Sequence, residues 1–486
     1  MAKIISINPI TRLEGHGKIE IFLDDAGNVS NAYLQVPELK GFEQFCVGRP
    51  VEELARITTR ICGVCPTAHH MCSTKALDAV CNVKPTATAL KLRRFIYDAF
   101  MAEDHLLHFF FLGGPDFVVG PDAPPGERNI LGVIGKVGVE IGKKVIDMRR
   151  RIRSIITHLG GRVIHPVCGL PGGVSKGLDE DHRLAFHKIA KESVEFSKFC
   201  LQIFNDIVLK NDTYLDLIVG DIFKHETYYM GQVDANNKVD LYDGMIRVID
   251  PTGKEYAKFA GKDYLDHIIE HVEPWTYMKF PYLKNVGWKG FEDGINSGVY
   301  RVAPLARLNV SDGMKTPLAQ AEYEKMVATL GKPFHHTLAF HWARLIEVMY
   351  VCEEMVQLLE DKSITNPDIR NLPKEAPTEG VGVIEAPRGT LIHHYKTDEN
   401  GLTTNVNLIV ATLGNSAAIS MSIAKAAKNL IKNGVVNDGL LNMVEMAFRP
   451  YDPCLACATH SLPGKMPLIV NIRDRNREII KSIKRD

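Results

Sequence analysis

A chain of 486 residues with 45% hydrophobic and 24% charged content is composed for a large buried core. Length alone suggests about three domains, although single-core enzymes reach this size. Its 58 basic side chains equal its 58 acidic ones, and no basic face carries interleaved aromatics, which argues against a nucleic-acid binder. The two longest charge-free apolar runs do not suit a bilayer: 105–115 is too short, and 408–424 carries Thr, Asn and Ser. Met1-Ala2-Lys3-Ile4-Ile5-Ser6 lacks a signal-peptide core. A soluble protein with no membrane span is expected.

In chain order, residues 1–45 read as sheet. Positions 18–23 and 29–36 alternate, and Asp24-Asp25-Ala26-Gly27-Asn28 supplies the hairpin turn. Two loop-like stretches flank them, one carrying Glu14 and the other ending at Glu43. From 51 the pattern turns helical. Pro85 is placed to open a long helix to about 112, with Ala89, Leu92, Ile96, Ala99, Leu106 and Phe109 at helical spacing and one slip. A Pro/Gly-rich link at 113–126 precedes helices over 129–158 and 179–209. The glycine-rich connection at 160–173 lacks the strand-before, helix-after setting of a phosphate loop.

Residues 214–310 read as a β-rich lobe or insert. Helices resume at 317–330 and 337–361. A Pro-rich link at 371–377 leads to Glu385-Ala386-Pro387-Arg388-Gly389, and helices near 415–432 and 437–447 follow. A strand pattern occupies 468–472. The basic positions Lys143, Lys144, Arg149, Arg150, Arg151 and Arg153 share a helix with Glu140 and Asp147, so they read as a solvated or subunit-facing surface. The fold class is α+β, mostly α, with a large helical-bundle core and small N-terminal and mid-chain sheets.

Ten cysteines are scattered in a way unlike a small secreted framework, which points to reduced thiols. Four of them stand out. Arg60-Ile61-Cys62-Gly63-Val64-Cys65 and Asp452-Pro453-Cys454-Leu455-Ala456-Cys457 each hold two cysteines three apart, followed by His69 and His460 respectively. A three-residue step on a helix or tight turn puts both sulfurs on one side, as two ligands of one metal require. The pairs are 392 residues apart, whereas zinc modules gather ligands over a few tens of residues. The spacing alone leaves two readings open: a catalytic soft-metal centre, or a non-catalytic protein with a structural four-cysteine zinc site.

Beyond spacing, the chain resembles the large, catalytic subunit of nickel–iron hydrogenases over almost its whole length. The matching stretches are Arg12-Leu13-Glu14-Gly15-His16, Gly41-Phe42-Glu43, the two cysteine stretches, Asp104-His105-Leu106-Leu107-His108-Phe109, Pro304-Leu305-Ala306-Arg307 and Glu385-Ala386-Pro387-Arg388-Gly389. In texture it is nearest to the cytoplasmic, methyl-viologen-reducing (F420-non-reducing) type associated with heterodisulfide reductase. The resemblance implies a Ni–Fe centre that splits H2 heterolytically and reversibly. Cys62, Cys65, Cys454 and Cys457 would bind nickel, Cys65 and Cys457 would also bridge to iron, and iron would carry carbon monoxide and cyanide.

It further implies Cys454 as first proton acceptor and Glu14 as the relay outward. Arg388, Asp104 and Asp452 would sit above the metals, Pro387 would wall the pocket, Thr412 would hydrogen-bond a cyanide, and His69 would bond a thiolate sulfur. Glu43, the Leu408 carbonyl and the His460 side chain would hold Mg2+. The family often has Pro where Ala411 stands. The six remaining cysteines show no four-thiolate spacing, so electrons are expected to leave through a small iron–sulfur subunit, then through further electron-transfer subunits. Residues 1–460 would form one catalytic domain, matured by dedicated proteins. Residues 461–486 would be a maturation propeptide cut by an endopeptidase.

Overall fold

The computed structural model describes residues 3–459 and two strands at 468–473 and 479–485. The N-terminal sheet is antiparallel in the order β1 (Lys3–Ile7), β2 (Lys18–Leu23) and β3 (Val29–Gln35). Ile19, Ile21 and Leu23 of β2 face inward, as the alternation requires. Short helices α1 (Phe42–Cys46) and α2 (Leu54–Ile57) lead to α3 (Pro66–Val80) and α4 (Ala87–Leu107). Thr86 caps α4 by accepting from the Ala89 N–H, so the helix opens two residues after Pro85. The α-helix runs unbroken from Ala87 to Leu107, and the predicted helix closes in a π-turn at His108–Gly113.

The 113–126 link holds a four-residue helix, α5 (Pro115–Val118). The predicted 129–158 helix is two helices, α6 (Ile130–Val137) and α7 (Val139–Gly160), broken at Gly138 with φ 95°. After the small hairpin β4 (Gly169–Leu170) and β5 (Gly173–Val174) come α8 (Glu180–Phe204) and α9 (Asp212–Val219). Residues 214–310 hold β6 (Tyr228–Val233), β7 (Met245–Ile249), β8 (Glu255–Phe259), β9 (Ile268–Val272), β10 (Lys279–Leu283) and β11 (Tyr300–Arg301). It ends in a helix, α10 (Pro304–Val310), that lies in the central core with α11 (Pro317–Leu330) and α12 (Phe340–Glu360). The core is the bundle in which α12 packs on α4 and α8.

Sequence reading had no sheet in the stretch where the structure places β12 (Glu379–Ala386), β13 (Gly389–Thr397) and β14 (Thr403–Ile409). Most of β12 and β13 is buried on both faces, so the sequence shows no polar alternation there. This sheet lies directly on α3. A Cβ at Gly380 would come within 2.3 Å of the Val80 nitrogen, and one at Gly382 within 2.3 Å of the Cys72 carbonyl. The close approach sets the β12–β13 turn, which carries Pro387 and Arg388, over the start of α3. Helices α13 (Ser416–Leu430) and α14 (Asp438–Met446) then return the chain to the second cysteine turn. Strands β15 (Leu468–Arg473) and β16 (Ile479–Arg485) pair with each other.

Candidate metal centre

The first cysteine turn is local. Cys65 is the N-cap of α3 with Pro66 in the first helical position. The N–H groups of Val64 and Cys65 donate to Cys62 Sγ at 3.2 and 3.3 Å. The second turn is held from afar. Asp452 adopts φ 55° and ψ 54°, a left-handed conformation that costs a non-glycine residue about 1 kcal/mol or more. Leu455 N–H donates to the Glu14 carbonyl at 2.9 Å, and Cys454 N–H donates to Thr412 Oγ1 at 3.1 Å. Gly15, at φ 85°, lets the Glu14 strand lie there: a Cβ would be 2.6 Å from the Ala456 nitrogen.

These two turns bring four buried sulfurs together. Cys62 Sγ lies 3.2 Å from Cys454 Sγ, Cys65 Sγ 3.5 Å from Cys457 Sγ, and Cys454 Sγ 2.9 Å from Cys457 Sγ. All four lie within 4.8 Å of one another, and they are the one such metal-type cluster found among the described residues. Metal–thiolate bonds of about 2.3 Å put sulfurs on opposite sides of one ion about 4.6 Å apart, so the donor set fits a thiolate-bound metal.

Crowding dictates the protonation. The Cys62 thiol is pulled well below its ordinary value because Cys454, Cys457 and Cys65 hydrogen-bond to its thiolate. Burial pushes Cys454 and Cys457 well up. Glu14 Oε2 accepts from Cys454 Sγ at 2.9 Å and from Ala456 N–H at 3.1 Å. Burial, with the neighbouring Cys62, raises its carboxyl above the usual range and so toward the range in which it exchanges protons with a thiol.

Across the sulfurs sits Arg388. Its guanidinium contacts both Asp104 oxygens at 3.1 Å and Asp452 Oδ2 at 2.9 Å, and all three side chains are buried. Burial lifts the Asp452 carboxyl to about 7 against the pull of Arg388. Pro387 is buried beside Arg388 in the same turn. His69 Nε2 lies 3.6 Å from Cys457 Sγ.

Glu43 is in the first turn of α1, a correction to the loop expected there, and its Oε1 accepts the Leu408 N–H at 2.7 Å. Glu43 and Leu408 are thus adjacent. His460 lies outside the described residues. Thr412 touches the second turn through Cys454 N–H.

Sequence reasoning missed the buried supports at Arg307, Arg344 and Glu347, although it read His105 as a satisfied core histidine. Arg307 donates to Glu347 Oε1 at 2.6 Å, to Glu385 Oε2 at 2.9 Å and to the Ala386 carbonyl at 2.9 Å, bracing the end of β12 just before Arg388. His105 Nε2 lies 2.9 Å from Glu347 Oε2. Arg344 donates to the Pro450 carbonyl at 2.8 Å, just before the second turn, and burial lowers its guanidinium to about 10. Arg307 stood in a quoted motif, which was the available signal. Glu347 and Arg344 had none.

Comparison with known proteins agrees with this geometry. The nickel-dependent hydrogenase family profile matches residues 40–123 and 143–460, and a HoxL-like profile matches 4–39. The chain is 51% identical over 484 residues to an F420-non-reducing hydrogenase polypeptide of Archaeoglobus profundus, covering 99% of each. It is 38% identical over 496 residues to the beta chain of the NAD-reducing hydrogenase HoxS of Cupriavidus necator, again covering 99% of each. A solved NAD+-reducing [NiFe]-hydrogenase in the H2-reduced state superposes with a TM-score of 0.88 at 37% identity, over 94% of this chain and 99% of that one. A non-catalytic zinc protein is set aside. The chain belongs to the nickel-dependent hydrogenases, as the catalytic large subunit of a nickel–iron enzyme that acts on H2.

Proposed function

We propose that this subunit serves a cytoplasmic hydrogenase of the F420-non-reducing type. The support is the 51% identity to a relative bearing that name. Cys62, Cys65, Cys454 and Cys457 would hold nickel, Cys65 and Cys457 would also offer their sulfurs to iron, and the iron would carry carbon monoxide and cyanide. Bound there, the Ni–Fe pair supplies the electrophilic site at which H2 is polarised and its two electrons are taken up.

The chain's own residues handle the proton. Cys454 Sγ receives it and Glu14, 2.9 Å away, passes it outward. That contact carries the reading, because it joins a ligand sulfur to a carboxyl whose affinity for protons burial has raised. Arg388, gripped by Asp104 and Asp452, presents a permanent cation to the space above the sulfurs. Pro387 walls that space. Thr412 supports the second turn through the Cys454 N–H, and its hydroxyl hydrogen would be available to a cyanide. His69 donates to Cys457.

Mg2+ would be held by Glu43, the Leu408 carbonyl and His460; the adjacency of Glu43 and Leu408 supports this. Electrons leave through an iron–sulfur small subunit toward a heterodisulfide-reductase-type assembly active in methanogenesis. In support, Cys62, Cys65, Cys454 and Cys457 are the one metal-type cluster among the described residues, and they are taken by the nickel–iron site. Residues 1–460 are the catalytic domain, and 461–486 is removed by an endopeptidase after maturation proteins load the metals. Elemental analysis of protein purified from its native host tests the centre: nickel and iron near one each are expected, and zinc alone would defeat the reading.

A further inference from the structure

Three distant segments of the chain meet in a buried charge cluster that the metal centre does not use. Thr11 and Arg12 come from the N-terminal loop that carries Glu14, and Asp116 comes from α5. Asn442 and Glu445 lie on α14, and Arg449 lies in the turn after it, ahead of Cys454. Asp116 Oδ1 accepts from Arg12 Nη2 at 2.5 Å, from Arg449 Nη1 at 3.0 Å and from Asn442 Nδ2 at 3.2 Å. Its Oδ2 accepts from Arg449 Nη1 at 3.0 Å. Asn442 Oδ1 accepts from the same two guanidiniums, Arg12 at 3.0 Å and Arg449 at 2.9 Å. Glu445 accepts from the Thr11 N–H at 3.1 Å and the Thr11 hydroxyl at 2.9 Å, and it pairs with Arg449.

Two guanidiniums this close repel, and burial removes the water that would screen them, so the carboxylate between them lets them share the site. Burial would raise the Asp116 carboxyl, but Arg449 and Arg12 outweigh it and hold the group below the usual carboxylate range. The two arginines are not equally held. Arg449 has a fully buried side chain and a second carboxylate in Glu445. The Arg12 side chain is 10% exposed, and beyond Asp116 it donates to the Leu112 carbonyl at 3.0 Å and to Asn442. Its backbone has φ 57°, a left-handed conformation that a non-glycine residue keeps only where its surroundings hold it. Without Asp116 the clamp therefore opens on the Arg12 side, and the loop released is the one that carries Glu14.

We infer that Asp116 is a positioning residue for the proton step: through Arg12 it fixes the loop that holds the Glu14 carboxyl against Cys454 Sγ. The inference rests on the reading of Glu14 as the relay. Proton transfer needs its heavy atoms within hydrogen-bond reach, and the Glu14–Cys454 contact of 2.9 Å meets that need only while the loop stays in place. The Glu14 carbonyl keeps its bond from Leu455 N–H when the clamp opens, so the carboxyl is displaced rather than lost.

The test is H2-dependent dye reduction by the matured complex in H2O and in D2O, with nickel and iron content measured alongside. Asp116→Asn and Arg12→Gln are expected to keep both metals and to lose about 10-fold to 100-fold in rate, the cost of a displaced catalytic group. The solvent isotope effect is expected to rise in both. In a Glu14→Gln background neither substitution is expected to cost anything further, since residues that act through one another are not additive. Arg12→Lys keeps the charge and is expected to recover part of the rate. Should Asp116→Asn take up no metal, Arg12→Gln decides the matter, because it leaves Asp116, Arg449 and Glu445 in place. Rates or isotope effects unchanged in both variants, losses that multiply with that of Glu14→Gln, or Arg12→Gln without metal overturn the inference. A fully active Glu14→Gln would instead overturn the relay reading beneath it.

Discussion

The two cysteine turns reach one centre by different means. Cys62 and Cys65 belong to the start of α3: the cap, the proline and the backbone N–H groups that point at Cys62 Sγ all lie within five residues. Cys454 and Cys457 have no helix of their own. They are held by the Glu14 backbone, by Thr412 and by a left-handed Asp452, groups that chain folding must bring from elsewhere. One half of the site is thus a product of local sequence, and the other half a product of the tertiary structure. On the proposed reading the half that is carried in would also carry the proton chemistry, since Glu14 is the backbone partner of the second turn and its carboxylate accepts from Cys454 Sγ.

Substitutions divide along that line. Cys65→Ser and Cys457→Ser have the largest expected effect: neither protein retains nickel or iron by elemental analysis, while far-ultraviolet circular dichroism keeps its helical signal. Glu14→Gln keeps both metals, because the Glu14 backbone still pairs with the second turn. It is expected to lose about 100-fold to 10,000-fold in H2-dependent dye reduction, the usual worth of a general acid–base group.

The local half has its own weakness, to acid. His70, on α3, donates from Nδ1 to the Ala55 carbonyl and accepts from Gly169 N–H at Nε2, so only the neutral ring satisfies both. Burial depresses its value to about 4. A depressed histidine contributes stability that is present above its unfolded value near 6.5 and is lost as pH falls toward 4. The loss is at most about 3 kcal/mol at 1.36 kcal/mol per unit. Urea unfolding midpoints are expected to drop over that window, and to drop less in His70→Gln. The smallest effect is expected from Thr412→Val, which leaves the buried Cys454 N–H without its acceptor at a cost of about 1–3 kcal/mol. Hydrogen exchange should quicken at the Cys454 amide and stay unchanged at Cys65; equal quickening at both would erase the distinction between the turns.

The same asymmetry governs what the sequence made legible. Paired cysteines, Glu14, Arg388 and the long helices announce themselves through short-range pattern, and the caps at Thr86 and Asp179 fall where the chain turns helical. The β12–β14 sheet does not, since strands buried on both faces lack a polar beat. Glu43 stands in a five-residue helix too short to show a period. Charged side chains such as Arg307, Arg344 and Glu347 look like solvated surface until partners 40 or 106 residues away are brought to them. His393 lay in a stretch with no strand signal; only the packing of β13 on α3 gives it a neighbour in His69.

Infrared spectroscopy of the complex matured in its native host tests the nickel–iron centre most directly. Carbonyl and cyanide bands are expected in the unaltered protein, to vanish in Cys65→Ser and Cys457→Ser but persist in Glu14→Gln. A silent spectrum in the unaltered protein, with metal present at the four cysteines, would contradict that centre.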